Sequence, residues 1–276
     1  MKRIGLALGA GGARGLAHIA FLEAFEELGI KPTIISGTSI GAIVGAPYAA
    51  GMSAKEMKEA VNEIVFSKKT KFWEIHKKSD IMKMFNFFDP DYRVGGMIKG
   101  EKMIKFLYDY MKIDKFEDLK IPLKIVATDY WNKEEVIFTK GDLLKAIKAS
   151  YSLPGMFVPV EINGKLLMDG GMVNPLPFDI IKDDCEITVA IDVSAKKTKS
   201  EDLVPPAYEV LFSAFQIMQN SIVNEMFKLS QPDILIKTKI ENVRIHEFTK
   251  VDSIFQQAAK SKEELKRKLS AILEKD

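Results

Sequence analysis

The sequence predicts an α/β fold, a three-layer α/β/α sandwich around a mostly parallel sheet with a helical cap inserted into it. Three observations carry that prediction. Within the first fifty residues, an apolar run meets a glycine-punctuated turn and then a helical pattern, twice over. Apolar strand-like runs then recur, with helices between them, as far as residue 239. Finally, 276 residues that are 47% apolar and 9% aromatic supply one large core and exclude a disordered chain.

The elements follow in order. IGLALG (4–9) is the first strand and runs into the glycine cluster GAGGARG (9–15). The next stretch places Leu16, Ile19, Phe21, Leu22, Phe25 and Leu28 on one face of a helix that Gly29 closes. PTIIS (32–36) is a buried strand, and GTSIG (37–41) opens a helix ending at Gly51. Pro47 should kink that helix or end its regular part, because it lacks a backbone donor. Ser53 and Glu56 form a capping box for a helix over 53–66. Strands are expected at 123–130, 135–140, VPVEI, KLLMDG, 186–194 and 232–239, with helices at 207–227 and, capped by its serine, at 261–275. No repeat or long linker divides the chain, so one domain over 1–276 is expected, with 200–276 completing it. The segment 66–98 stands apart: lysines alternate with Phe72, Trp73, Phe85, Phe87 and Phe88, and the glycine rhythm is missing. It reads as a cap over the C-terminal edge of the sheet.

Composition removes several function classes. Forty basic against 38 acidic side chains leave +2, with no basic excess for nucleic acid. The single cysteine, Cys185, rules out an internal disulfide and any multi-cysteine metal site. Its acidic neighbours would raise the thiol pKa, which argues against a nucleophile. Glycines and Arg14 interrupt the N-terminal apolar run, unlike a signal peptide, and no apolar stretch reaches the length of a membrane span. A cytoplasmic protein is the expectation.

The chemistry concentrates in three places. GTSIG is a G-x-S-x-G pentapeptide between strand and helix, where Gly37 and Gly41 let the backbone pass close to Ser39 and the helix N-terminus favours negative charge there. The bland alternative is a tight turn with a capping serine. GAGGARG fails as a dinucleotide fingerprint, since Arg14 replaces the third glycine and no acid ends the next strand. It also fails as a Walker loop, but it suits an anion cradle of backbone N–H groups. The three histidines, His18, His76 and His246, lack a framing turn and read as structural or surface groups. Asp169, between KLLM and Gly170-Gly171, should stand at a strand end where a carboxylate can act as general base. Ser39, Asp169 and the cradle together make nucleophile, base and oxyanion donors.

Assembled in order, GAGGARG (9–15), GTSIGAIVGA (37–46), SYSLPGMFVPVEINGK (150–165) and DGGMVNPLP (169–177) resemble the patatin-like phospholipase family. The resemblance covers most of residues 1–195. It implies a Ser–Asp dyad that hydrolyses acyl esters of lipids, with no cofactor and no metal. Ser39 would be the nucleophile and Asp169 the base. The oxyanion donors would lie around Gly11 and Gly12, with Arg14 ordering a loop that also includes Gly9 and Gly15. Ala10 stands where the family has a glycine, so Gly11 and Gly12 are the preferred donors.

Other functions stay open. One is a carboxylesterase or thioesterase acting on short acyl chains. Another is a non-catalytic phosphate- or nucleotide-binding protein using the glycine loop. The expected partner is a lipid or acyl-ester substrate, not nucleic acid. The lysine–aromatic segment 66–98 could touch an anionic membrane, leaving the protein cytoplasmic or membrane-peripheral, or could pack as a plain cap. Met156, Phe157 and the helix residues Leu211, Phe212, Phe215, Met218 and Ile222 are candidates for an acyl pocket or simply for core. The oligomeric state is open.

Overall fold

The computed structural model describes residues 2–66, 90–91, 97–194 and 207–274. Most of the cap expected at 66–98, His76 included, therefore lies outside the described residues. Strand β1 (Ile4–Leu8) passes through a 3-10 turn (Gly12–Ala17) into α1 (His18–Glu27). Strand β2 (Ile34–Thr38) leads to α2 (Ile40–Ala50) and α3 (Ala54–Phe66). A short pair, β3 (Pro90–Asp91) and β4 (Met97–Ile98), precedes α4 (Glu101–Met111). Then come β5 (Leu123–Asp129), β6 (Glu134–Phe138), α5 (Leu143–Tyr151), β7 (Val160–Ile162) and β8 (Lys165–Asp169). The last elements are β9 (Ile187–Asp192), α6 (Ala207–Leu229), β10 (Ile234–Lys237) and α7 (Val251–Leu273).

The main sheet has the order β10-β9-β1-β2-β5-β8-β7, with β6 on the other side of β5. The five strands from β10 to β5 are parallel. Strands β6, β7 and β8 join antiparallel, so the sheet is mixed. Alternation along each strand sorts its two faces. Leu6, Leu8, Ile35, Val189, Ile191 and Ile236 point into the larger core with α1, α2 and α7. Their neighbours Ala7, Ile34, Ala190 and Leu235 face a second core with Phe178, Ile181 and Val223, the last from α6. Helices thus cover both faces, as an α/β/α sandwich requires.

Local chemistry sets the boundaries. The capping box forms as expected: Ser53 N–H donates to Glu56 Oε2 at 2.7 Å and Glu56 N–H to Ser53 Oγ at 3.2 Å. Two expectations need correction. Helix α2 runs through Pro47 to Ala50, so of the two effects expected of the proline it does not end the regular part, and Gly51, at φ 105°, caps the helix where the sequence placed its end. The last helix begins at Val251 rather than 261, because Ile254, Ala258, Leu265 and Leu269 extend one buried face across both halves. Ser261 is buried on that face and caps nothing.

Candidate active site

Ser39 sits at the joint between β2 and α2 with φ 57° and ψ −118°. A side chain in this region of backbone space costs about 1–3 kcal/mol and persists only where its surroundings enforce it. Here α2 is pressed against β1: a Cβ on Gly41 would lie 2.0 Å from the Leu8 carbonyl oxygen. The Ser39 carbonyl accepts the first helical bonds from Ala42 and Ile43, while its N–H donates to Ser150 Oγ at 2.9 Å.

The sheet register explains why Asp169 meets this serine. Strand β2 pairs with β5 only as far as Thr38 opposite Val126. At the next position Ala127 pairs with Asp169, so β8 enters antiparallel along the edge that β2 has just left. The end of one strand and the end of the other therefore face each other. Ser39 Oγ donates to Asp169 Oδ2 at 2.7 Å, and Gly171 N–H donates to Asp169 Oδ1 at 2.7 Å. Burial pushes the Asp169 carboxyl up to about 6, with these two hydrogen bonds opposing it.

One segment fastens both members of the pair. Ser150, at the end of α5, accepts from the Ser39 N–H, and the Ser152 carbonyl accepts from the Asp169 N–H at 3.0 Å. Thr128 Oγ1 donates to the Asp169 carbonyl at 2.8 Å from the neighbouring strand. The strap Ser150–Ser152 lies inside one of the motifs quoted above. Its role was invisible in the sequence because a serine beside a helix end reads as an ordinary cap.

The glycine loop contributes donors selectively. The Ala10 N–H is used by the Pro175 carbonyl at 2.8 Å and the Ala13 N–H by the Ile245 carbonyl at 2.8 Å. Among the described residues the N–H groups of Gly11 and Gly12 keep no such partner, and both glycines line the cleft with Ser39 and Asp169. Gly12 has φ 57°, and a Cβ there would lie 2.4 Å from the Ile245 carbonyl oxygen. Arg14 is buried near Asp192. Burial lowers its pKa to about 10 against the pull of that carboxylate, and among the described residues its Nε has no hydrogen-bond partner.

His18 is buried beneath the loop with Nε2 2.8 Å from the Gly9 carbonyl oxygen. Burial lowers its pKa to about 4, so the ring is neutral and donates from Nε2. His246, by contrast, lines the cleft, a placement its polar sequence context did not signal. Met156 and Phe157 line it, beside Ile40, Ile43 and Phe248. The α6 residues do not match the acyl-pocket reading: Leu211 and Met218 are about half exposed, and Phe212 and Phe215 pack on the main core. The inner face of α6 instead runs through Phe212, Phe215, Gln219 and Val223, which brings Gln219 to the cleft. Among the described residues no group of three His, Cys, Asp or Glu is set to hold a metal ion, and no helix is long and apolar enough to cross a membrane.

The family model described as patatin-like phospholipase matches residues 6–182. An uncharacterized NTE family protein of Mycobacterium bovis is 34% identical over 196 residues, covering 71% of this chain and 50% of that protein. Human patatin-like phospholipase domain-containing protein 6 is also 34% identical over 196 residues, covering 70% of this chain but 13% of its own length. The chain thus spans half or less of these relatives. In fold it is similar to the crystal structure of VipD from Legionella pneumophila, with a TM-score of 0.53 at 16% identity over 95% of this chain and 67% of that one. By the extent of the family match and the order of its motifs, the chain belongs to the patatin-like phospholipase family.

Proposed function

We propose that this chain is a serine hydrolase that cleaves acyl esters of lipids through an acyl-Ser39 intermediate. The observation that carries the reading is the 2.7 Å hydrogen bond from Ser39 Oγ to Asp169 Oδ2 at a strained elbow. Asp169 takes the Ser39 proton as Oγ attacks the ester carbon. The Gly11 and Gly12 N–H groups receive the developing oxyanion, and the leaving alkoxide takes the proton from Asp169. Water then repeats the sequence on the acyl-enzyme. A carboxyl with a pKa of about 6 is a stronger base than an ordinary aspartate and is still largely ionised at neutral pH.

The walls around Ser39 support an acyl chain as the substrate part that enters, since Ile40, Ile43, Met156, Phe157 and Phe248 offer it apolar surface. A phosphate cradle is supported less well, because Ala10 and Ala13 have already used their N–H groups. In this reading one domain spans 1–276. Hydrolysis of phospholipid vesicles and of p-nitrophenyl esters from acetate to palmitate tests it. Turnover should favour medium or long chains over acetate and fall by about 10³-fold or more in Ser39→Ala. Turnover unchanged in Ser39→Ala would remove the reading.

A further inference from the structure

Beside the glycine loop lies a second, smaller compartment lined mostly by polar side chains. Gly11 and Gln219 line both spaces, and Arg14, Ser194, Gln216 and Asn220 wall the compartment beyond them. Gln219 stands at the junction. A methyl placed on Gly171 would lie 2.2 Å from Gln219 Nε2 and 3.0 Å from Asp169 Oδ1, so the amide and the carboxylate both border this glycine. No hydrogen bond occupies the Gln219 amide among the described residues. An amide with two donors and an acceptor, set half-buried at a cleft, is satisfied by water or by a polar part of a ligand.

The second half-reaction needs such a group. With an acyl chain lying along Ile40, Ile43 and Phe157, one water must be held within reach of both Asp169 and the acyl carbon. Apolar walls offer it no hydrogen bond, whereas the polar compartment does. We propose that Gln219 holds the deacylating water, drawn from this compartment, against Asp169. The proposal rests on the acyl-enzyme reading above. The water oxygen attacks the acyl carbon while its proton passes to Asp169. The bond from that carbon to Ser39 Oγ then breaks, Oγ recovers the proton from Asp169, and the carboxylic acid departs.

The test uses Gln219→Met, which keeps the side-chain length and removes the hydrogen-bonding amide. With p-nitrophenyl butyrate the leaving group departs without assistance, so acylation does not depend on Gln219. The variant should acylate at the wild-type rate, take up a fluorophosphonate on Ser39 as the wild type does, and melt at a similar temperature. Deacylation should slow by about 10- to 100-fold, the scale of a misplaced reactant. Rapid quench and intact mass should therefore show acyl-Ser39 accumulating in the variant above its wild-type level. Equal acyl-enzyme fractions and equal turnover in the two proteins would overturn the proposal, as would acylation and deacylation falling together. Ser39 left unlabelled in the wild type would overturn the acyl-enzyme reading itself, and the water assignment with it.

Discussion

Asp169 sets chemistry against stability within one side chain. Burial lifts its carboxyl from 3.8 to about 6. Below pH 3.8 the folded and unfolded chains both hold the proton, and the group is neutral to stability. Between 3.8 and about 6 the unfolded chain releases it first, so stability falls as pH rises. Above that range the folded state carries the whole cost, on the order of 3 kcal/mol. Asp169→Asn should therefore melt above the wild type at pH 8, and the advantage should vanish near pH 4. Turnover should fall by about 10²–10⁴-fold in the same variant. Melting curves at both pH values, with ester turnover alongside, check the pair of effects. In the wild type, kcat/KM should decline as pH falls through about 6, because a protonated Asp169 cannot accept the serine proton. Ser150 is a simpler case. Its removal in Ser150→Ala leaves the Ser39 N–H unpaired at a cost of about 1–3 kcal/mol. In ester kinetics kcat should fall more than KM changes, and Ser150→Thr, which keeps the oxygen, should restore it.

Among elements, two junctions matter most. The glycine loop depends on the segment around Ile245, which accepts the Ala13 N–H and lies against Gly12. Gly12→Ala would require both a left-handed alanine and a retreat of that segment, moving a proposed oxyanion donor. The expected loss in kcat is about 10²–10³-fold, the scale of one donor removed, and ester kinetics measures it. The second junction docks α7 on α1. Lys262 Nζ reaches Glu23 and Glu27 at 2.6 Å each, while Lys58 approaches Glu23 from α3 at 2.6 Å. Hydrogen bonds from Lys262 and Lys266 pull Glu27 down to about 2. The group therefore stabilises the fold at neutral pH and loses that contribution as pH falls through the range toward 2. Because the carboxylates are part-exposed, Lys262→Ala should cost only about 0.5–1 kcal/mol, an effect that shrinks in high salt. Urea unfolding at two salt concentrations measures it.

At the scale of the whole molecule, the sheet gathers residues 9–15, 37–41 and 169–171 at one edge. Each of these was legible alone, because a glycine turn leaves a local signature in the sequence. Their meeting depends on β8 running antiparallel into the place β2 vacates, and strand direction leaves no such mark. Gln219 was illegible for a related reason: one glutamine on an apolar helix carries no pattern until the helix is docked. The early start of α7 was obscured by a serine that imitates a cap but lies buried within the helix. The central claim, that this edge makes Ser39 a nucleophile with Asp169 as its base, is tested most directly by covalent trapping. Wild type and Asp169→Asn would be treated with a fluorophosphonate, and the adducts mapped by peptide mass spectrometry. One adduct per wild-type chain is expected, on the peptide bearing Ser39, with labelling slowed by about 10²–10⁴-fold in the variant. An adduct on another residue, or equal labelling of both proteins, would contradict it.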